Sequence, residues 1–190
     1  MHLNMQLYLV RHPPPLVGPG LCYGRTDLAV TPAATARAAA ALSNALPVAA
    51  ALFSSPLQRC VDLARALGAG AAPTFDARLA ELDFGSWEMQ PWEHIARADI
   101  DAWAADMVDY RPGGGESVLH MAERVSAFYA DLAALPQPRA IIVCHAGTMR
   151  LLAECGRGAT ARQMAQRAAA RAHRIAYGGL LVLQAGESDV

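Results

Sequence analysis

Two histidines of this chain are placed where they could act on one ligand. His12 directly follows a short, mostly apolar run at residues 6–10, and His145 directly follows a second apolar run at residues 140–144. Each run is typical of a buried strand. Because ligands of open α/β sheets bind outside the carboxyl ends of the strands, both imidazoles enter one crevice if the two strands are neighbours.

Two arginines are placed to join these histidines. Arg11 precedes His12. Arg59 lies one turn into a helix that is predicted to follow another strand, at residues 50–54. All sixteen basic residues of the chain are arginines, whose guanidinium groups bind phosphate bidentately. The convergence of these groups indicates a site for a small dianion such as phosphate. No set of His, Cys, Asp or Glu has the spacing of metal ligands, so we expect neither a metal nor another cofactor.

Four short motifs contain these residues. They are, in chain order, Leu9-Val10-Arg11-His12, Ser54-Ser55-Pro56-Leu57-Gln58-Arg59, Glu81-Leu82-Asp83-Phe84-Gly85-Ser86-Trp87-Glu88 and Val143-Cys144-His145-Ala146-Gly147. In order and spacing they resemble the four signatures of the histidine phosphatase superfamily, whose fold is that of the phosphoglycerate mutases. The resemblance extends from Leu7 to about Leu152, and four motifs in family order are far more specific than any one of them.

The resemblance implies a role for each residue. His12 would be the nucleophile that forms a phosphohistidine, and Arg11, Arg59 and His145 would hold the phosphate oxygens. Glu81 would protonate the leaving alcohol and then activate water, a contribution worth about 10²–10⁴-fold in rate. The chemistry agrees, because a neutral imidazole attacks phosphorus and positioned arginines stabilise the charge of the transition state.

The loop after the nucleophile departs from the family pattern. The family usually has Gly after the nucleophilic histidine, whereas this chain has Pro13-Pro14-Pro15 and therefore lacks three backbone N–H donors. A family Asn that commonly helps to bind phosphate has no counterpart near Gly18. Phosphate binding is accordingly expected to rest on side chains.

Three further segments narrow the expected substrate. The segments Cys22-Tyr23-Gly24-Arg25-Thr26-Asp27-Leu28, Phe84-Gly85-Ser86-Trp87-Glu88-Met89 and Pro112-Gly113-Gly114-Gly115-Glu116-Ser117 look like those of the alpha-ribazole-5′-phosphate phosphatases of cobalamin biosynthesis. The alternatives are a phosphoglycerate mutase or another broad-specificity histidine phosphatase. An alternative of another class is a catalytically weak regulatory module that binds a phosphate ligand. Loops 13–24 and 108–117 are expected to shape the leaving-group pocket.

Strands and helices alternate along the chain, which predicts a three-layer α/β/α fold with a mostly parallel sheet in a single domain spanning residues 1–190. Further strands are predicted at residues 50–54 and 180–183. Helices are predicted from Thr31-Pro32 to Leu46, from Ser55-Pro56 to Leu67, over 91–107, from Ser117 or its neighbour onward, over 148–155 and over 160–174.

Composition limits the classes of partner. The formal net charge is −1, so no overall field attracts nucleic acid or a membrane, and the expected partner is a small phosphomonoester. The start of the chain does not resemble a signal peptide, and its four cysteines are expected to be reduced thiols, so a cytoplasmic location is predicted.

Several other residues match no motif and are interpreted as surface or packing residues. They are the histidines His2, His94, His120 and His173, the core tryptophans Trp87 and Trp92, and a solvated arginine stripe of Arg167, Arg171 and Arg174.

Overall fold

The computed structural model describes residues 5–68, 72–132, 134–170 and 174–184. The interpretations of His2, Arg171 and His173 lie outside these residues. Arg167 and Arg174 are exposed, as expected for a solvated stripe.

A five-stranded sheet forms the centre of the fold. Its strands are β1 (Gln6–Arg11), β2 (Ala51–Ser54), β3 (Thr74–Phe75), β4 (Arg139–Cys144) and β5 (Leu180–Leu183). The order across the sheet is β3-β2-β4-β1-β5, and every neighbouring pair is parallel except β1 and β5. The mostly parallel sheet is therefore confirmed. Strand β3 has two residues, too few for an apolar pattern to predict.

The register of the two central strands brings the predicted histidines together. β1 pairs with β4 so that Arg11 lies opposite Cys144, and the next residue of each strand is a histidine. The backbone N–H of His12 donates to the carbonyl oxygen of Cys144 at 3.1 Å. The condition that the two strands be neighbours is thus met.

Six α-helices surround the sheet among the described residues. They are α1 (Pro32–Leu42), α2 (Gln58–Leu67), α3 (Arg97–Ala105), α4 (Val118–Leu132), α5 (Ala146–Gly156) and α6 (Ala161–Ala169). Short 3-10 turns lie at Ala77–Leu79, Gly85–Trp87, Trp92–His94 and Pro112–Gly114. Within this part of the chain, no helix is long and apolar enough to cross a membrane.

Helix starts were predicted better at Thr31 than at Ser55. Thr31 caps α1, because its hydroxyl oxygen accepts from the backbone N–H of Ala34 at 3.1 Å. The prediction that α2 begins at Ser55-Pro56 is wrong, since the helix begins at Gln58. The Gln58 N–H donates to a carboxylate oxygen of Asp27 at 2.6 Å, so the helix end is satisfied by a residue distant in sequence.

Three other predicted helices differ in extent. Helix α1 ends at Leu42 rather than Leu46, and α6 ends at Ala169 rather than Arg174. The predicted helix over 91–107 is divided into the turn at Trp92–His94 and helix α3.

Both faces of the sheet are covered, which confirms the three-layer architecture. Ala140 and Ile142 of β4 belong to a buried cluster with residues of α4, α5 and α6. Ile141 and Val143 belong to a second cluster, with residues of α1 and α2. This alternation follows from the two-residue period of a strand, and a sheet buried on both sides explains why β4 is apolar throughout its buried part.

Candidate active site

His12 is buried and neutral at the carboxyl end of β1. Its side chain is only 3% exposed, and its Nδ1 lies 2.6 Å from the carbonyl oxygen of Pro13. Because a carbonyl oxygen only accepts, the proton is on Nδ1 and the lone pair is on Nε2. Burial, with a smaller contribution from the charges of Arg59 and Arg11, lowers the pKa of His12 to about 3. The imidazole therefore has the protonation state of a nucleophile.

The proline loop contributes an acceptor rather than donors. Pro13, Pro14 and Pro15 have no N–H, and the N–H groups on either side of them are already paired. His12 donates to Cys144, Leu16 to Ala29 at 2.8 Å, and Val17 to Pro15 at 3.1 Å. Residues 12–17 therefore offer no backbone N–H to an anion, whereas the carbonyl of Pro13 sets the tautomer of His12. The sequence analysis identified the missing donors and overlooked this acceptor.

Main-chain carbonyl groups hold both predicted phosphate-binding arginines. Arg59 is fully buried, and its two terminal nitrogens donate to Thr26 and Gly24 at 2.7 and 2.5 Å. Arg11 donates through Nη1 to the carbonyl oxygen of Ile175 at 2.5 Å. The Nε of each guanidinium is buried and has no hydrogen-bond partner among the described residues. Each cation is thus oriented by main-chain carbonyl oxygens, and the Nε donor of each is among those that remain unused.

Glu88 fixes the loop that orients Arg59. Its carboxylate accepts the backbone N–H groups of Gly24, Arg25 and Thr26 at 3.0, 2.9 and 3.1 Å, and also the Thr26 hydroxyl. Burial alone would raise the pKa of Glu88, but these hydrogen bonds hold it below its usual value. The carboxylate is therefore charged and fully occupied, and its role is to position the loop.

His145 lies beside His12 and is buried as well. The two ring centroids are 5.0 Å apart, and Nε2 of His145 lies 2.9 Å from the hydroxyl of Ser55. Burial, and then the neighbouring His12 and Arg59, hold the pKa of His145 well below its usual value. Ser55 was predicted to start a helix. It orients this histidine instead.

Glu81 is held against the first turn of α5. Its Oε2 accepts the N–H of Gly147 at 3.1 Å. A Cβ at residue 147 would lie 2.3 Å from Oε1 of Glu81, so the glycine of the fourth motif allows this close approach. Arg124 donates to the carbonyl oxygens of Ala80 and Glu81 at 2.8 and 3.2 Å, and it forms a bidentate ion pair with Glu116.

One cavity of about 680 Å³ is lined by all the predicted site residues. Its polar lining comprises Arg11, His12, Arg59, Glu81 and His145, with Tyr23, Arg150 and Tyr177 beside them. Its apolar lining comprises Leu82, Phe84, Trp103, Met107, Val118, Met121, Leu151, Ala146, Ala168 and Ala169. This volume is typical of small-molecule sites.

The predicted leaving-group loops contribute little to this cavity. Of loop 13–24 only Tyr23 lines it, and no residue of loop 108–117 does, although Met107 and Val118 flank that loop. The helices α3 to α6 supply most of the apolar lining instead. Trp103 and Tyr177 also line the cavity, but the sequence does not predict this. Both lie outside the four motifs, and an aromatic residue alone gives no signal of such a position.

The residues interpreted as packing or surface residues mostly lie as expected. Trp87 is buried, but Trp92 is 37% exposed and stacks on Trp103. His94 and His120 are exposed. All four cysteines are free and buried.

Residues from all four motifs line one cavity. Comparison with known proteins identifies the family. The sequence model of the histidine phosphatase superfamily (branch 1) matches residues 7–178. The chain belongs to the histidine phosphatase superfamily.

Individual relatives and solved structures share a moderate or low sequence identity with the chain. The histidine phosphatase is 35% identical over 101 residues to the probable phosphoglycerate mutase GpmB of Salmonella paratyphi B, a match covering 50% of this chain and 46% of that protein. The chain thus spans about half the length of the curated relatives it matches. TTHB049 from Thermus thermophilus is 29% identical with a TM-score of 0.69, and 94% and 93% of the two chains are covered.

A third protein shares the fold at lower identity. A candidate alpha-ribazole-5′-P phosphatase from Escherichia coli gives a TM-score of 0.78 at 24% identity, with 94% of this chain and 89% of that one covered. At that identity the likeness shows the fold alone.

Proposed function

We propose that this histidine phosphatase hydrolyses a phosphomonoester through a phosphohistidine at His12. The observation that carries the proposal is the state of that imidazole. It is buried, its Nδ1 proton is donated to the carbonyl oxygen of Pro13, and it shares a cavity with the buried Arg59, the half-buried Arg11 and Glu81. A neutral nitrogen base beside fixed cations is what attack on a phosphate dianion requires.

The reaction proceeds in two displacements. In the first, the Nε2 lone pair of His12 forms a bond to phosphorus while the bond to the leaving oxygen breaks, and Glu81 gives that oxygen its proton. In the second, Glu81 takes a proton from water, the water oxygen bonds to phosphorus, and the bond to Nε2 breaks. Arg11 and Arg59 neutralise the charge on the phosphoryl oxygens in both steps. His145, whose ring centroid lies 5.0 Å from that of His12, binds the same oxygens.

The finer proposal is that the substrate is alpha-ribazole 5′-phosphate or a related cobalamin precursor in the cytoplasm. It is supported by the three sequence segments around Tyr23, Phe84 and Gly115. The apolar lining supports it too, because Phe84, Trp103 and Met107 suit a leaving group with a large apolar part.

A phosphoglycerate mutase is the second candidate, and the Salmonella relatives favour it. A mutase keeps its phosphoryl group and returns it to the glycerate, whose carboxylate needs a cation. The helices that line the cavity are mainly apolar, which favours a larger and less charged leaving group. We therefore rank hydrolysis above mutase activity.

The experiment is a screen with trapping of the intermediate. The purified protein is assayed on alpha-ribazole 5′-phosphate, adenosylcobalamin 5′-phosphate, 3-phosphoglycerate and p-nitrophenyl phosphate, with and without excess EDTA. We expect hydrolysis that EDTA does not reduce and an acid-labile phosphoprotein that is absent from His12→Ala. Activity of that variant within about tenfold of wild type would contradict the mechanism.

Two further readouts separate the alternatives. Isomerisation of 3-phosphoglycerate with little release of phosphate would identify a mutase. A regulatory module would bind phosphate compounds without a burst of product from p-nitrophenyl phosphate.

A further inference from the structure

Two tyrosines meet directly beside the phosphate-binding arginines. The hydroxyl oxygens of Tyr23 and Tyr177 are 2.7 Å apart, and both residues line the cavity. The Arg11 guanidinium carbon lies 3.8 Å from the centre of the Tyr177 ring, which is itself 5.5 Å from the His12 ring. The Tyr23 ring centre lies 5.9 Å from the Arg59 guanidinium carbon. The pair therefore spans the space between both arginines and the nucleophile.

The backbone ties this pair to the nucleophile. The N–H of Gly178, next to Tyr177, lies within 3.1 and 3.2 Å of the carbonyl oxygens of Arg11 and His12. The Tyr177 ring is thus held by the backbone of Gly178 and by its contact with the Arg11 guanidinium, in addition to the hydrogen bond between its hydroxyl and that of Tyr23.

A count of phenolic hydrogens leaves one of them unused. The two hydroxyls carry two hydrogens, and the contact between Tyr23 and Tyr177 uses one, because one phenol donates and the other accepts. In the described part of the chain, neither hydroxyl has a second hydrogen-bond partner. Burial raises the pKa of Tyr23, so its phenol stays protonated at neutral pH. The phenol that accepts therefore still has its own O–H to donate.

The loop after His12 offers no backbone N–H donor to an anion, and this O–H could take the place of such a donor. Residues 12–17 have no free N–H, because three are prolines and the other three donate within the protein. A phosphoryl group has three oxygens that need donors, and an unmet hydrogen bond to a charged group is costly.

We propose that Tyr23 and Tyr177 together supply one O–H donor to the phosphoryl group at His12, in place of the backbone N–H that the prolines remove. The inference rests on the proposed function, since it takes the anion at His12 to be the phosphoryl group of the substrate. Either phenol can act as donor while the other holds it, so the two are interchangeable and only their joint loss removes the donor.

The test uses Tyr23→Phe, Tyr177→Phe and the double variant, with Tyr8→Phe as a matched control. Phenylalanine keeps each ring, including the ring beneath Arg11. The hydroxyl of Tyr8 donates to Gln6 and does not line the cavity. For each protein, the dissociation constant of orthovanadate is measured by calorimetry, kcat/KM with p-nitrophenyl phosphate, and folding by thermal melting.

We expect each single variant to bind orthovanadate within about threefold of wild type, and the double variant to bind it about 10- to 100-fold more weakly with a matching loss in kcat/KM. An unchanged dissociation constant in the folded double variant would overturn the inference. A full loss in one single variant, with no further loss in the double, would overturn the sharing of one donor.

Failure of the proposed function is a separate result. Suppose that the wild-type protein hydrolyses no phosphomonoester, but that orthovanadate binding is weakened only in the double variant. The tyrosine donor is then supported and the proposed hydrolysis is contradicted. If wild type hydrolyses substrate and all variants bind orthovanadate alike, hydrolysis stands and the donor pair falls.

Discussion

The polar and apolar linings of the cavity are built on different principles. The polar side chains are fixed by main-chain groups: the carbonyl of Pro13 holds His12, that of Gly24 holds Arg59, and the N–H of Gly147 holds Glu81. The apolar lining has no such bonds and is defined by packed rings, such as Trp103 stacked on Trp92 with a 6.0 Å centroid distance. Directional bonds fix atoms for chemistry, whereas packed rings fix only a volume. We infer that the reaction depends on the first lining and the choice of leaving group on the second.

The largest effect that would test this division is expected at Glu81. Glu81→Gln should lower kcat by about 10²–10⁴-fold on an alkyl phosphate, because a poor leaving group needs its proton, but only a few-fold on p-nitrophenyl phosphate. Initial rates with both substrates measure the difference, and the exposed Glu93→Gln is the control. Equal losses on both substrates would reassign the acid to Asp83, since the Glu88 carboxylate is occupied by five donors.

A change in the apolar lining is expected to alter KM about tenfold and to leave anion binding nearly unchanged. Trp103→Leu should raise KM about tenfold for a monoester with a bulky aromatic leaving group, by removing ring contacts. The dissociation constant of orthovanadate should stay within about twofold, because the anion touches only the polar lining. Phe75→Leu, which removes an exposed ring of β3 that does not line the cavity, is the control. A parallel loss of orthovanadate binding would show that the two linings are not separable.

Acid should destabilise the polar lining specifically. His12 has a pKa of about 3 in the folded protein, below its ordinary 6.5, so the unfolded chain takes up a proton that the native protein does not. The free energy of unfolding should therefore fall between pH 6.5 and pH 5, with His12 contributing about 2 kcal/mol. Urea unfolding at pH 7 and pH 5 should show a smaller fall in His12→Ala and an unchanged fall in Trp103→Leu. An identical fall in all three proteins would contradict a neutral His12.

The smallest effect is expected at the proline loop. Pro13→Gly restores one N–H and keeps the carbonyl that accepts from His12. It should tighten inhibition by phosphate about threefold, since the added donor outweighs the flexibility of glycine. The gain should be larger in the double tyrosine variant, where the anion lacks a second donor. If phosphate inhibits both proteins equally, the missing N–H is immaterial to binding.

The two linings also differ in how far the sequence predicts them. Arg11, Arg59 and His145 lie beside or just after apolar strands, which predicts that they converge if those strands are neighbours. Glu81 follows no such strand, and only the family resemblance placed it in the site. Trp103, Met107 and Met121 follow no motif, because their role depends on how separate helices pack over the sheet. The same limit explains α2, whose start is capped by Asp27, a contact that no local pattern records.

The position of β1 in the sheet has a consequence for synthesis of the chain. This strand directly precedes the proposed nucleophile, His12, and is made before the other four strands, yet its neighbours in the sheet, β4 and β5, are the last two strands to be made. Ribosome-bound chains that end before residue 139 leave β1 without a partner on either edge, and His12 without the Cys144 carbonyl that accepts its N–H. Pairings so distant in sequence form late. A growing polypeptide therefore lacks the cavity proposed for hydrolysis until these strands emerge.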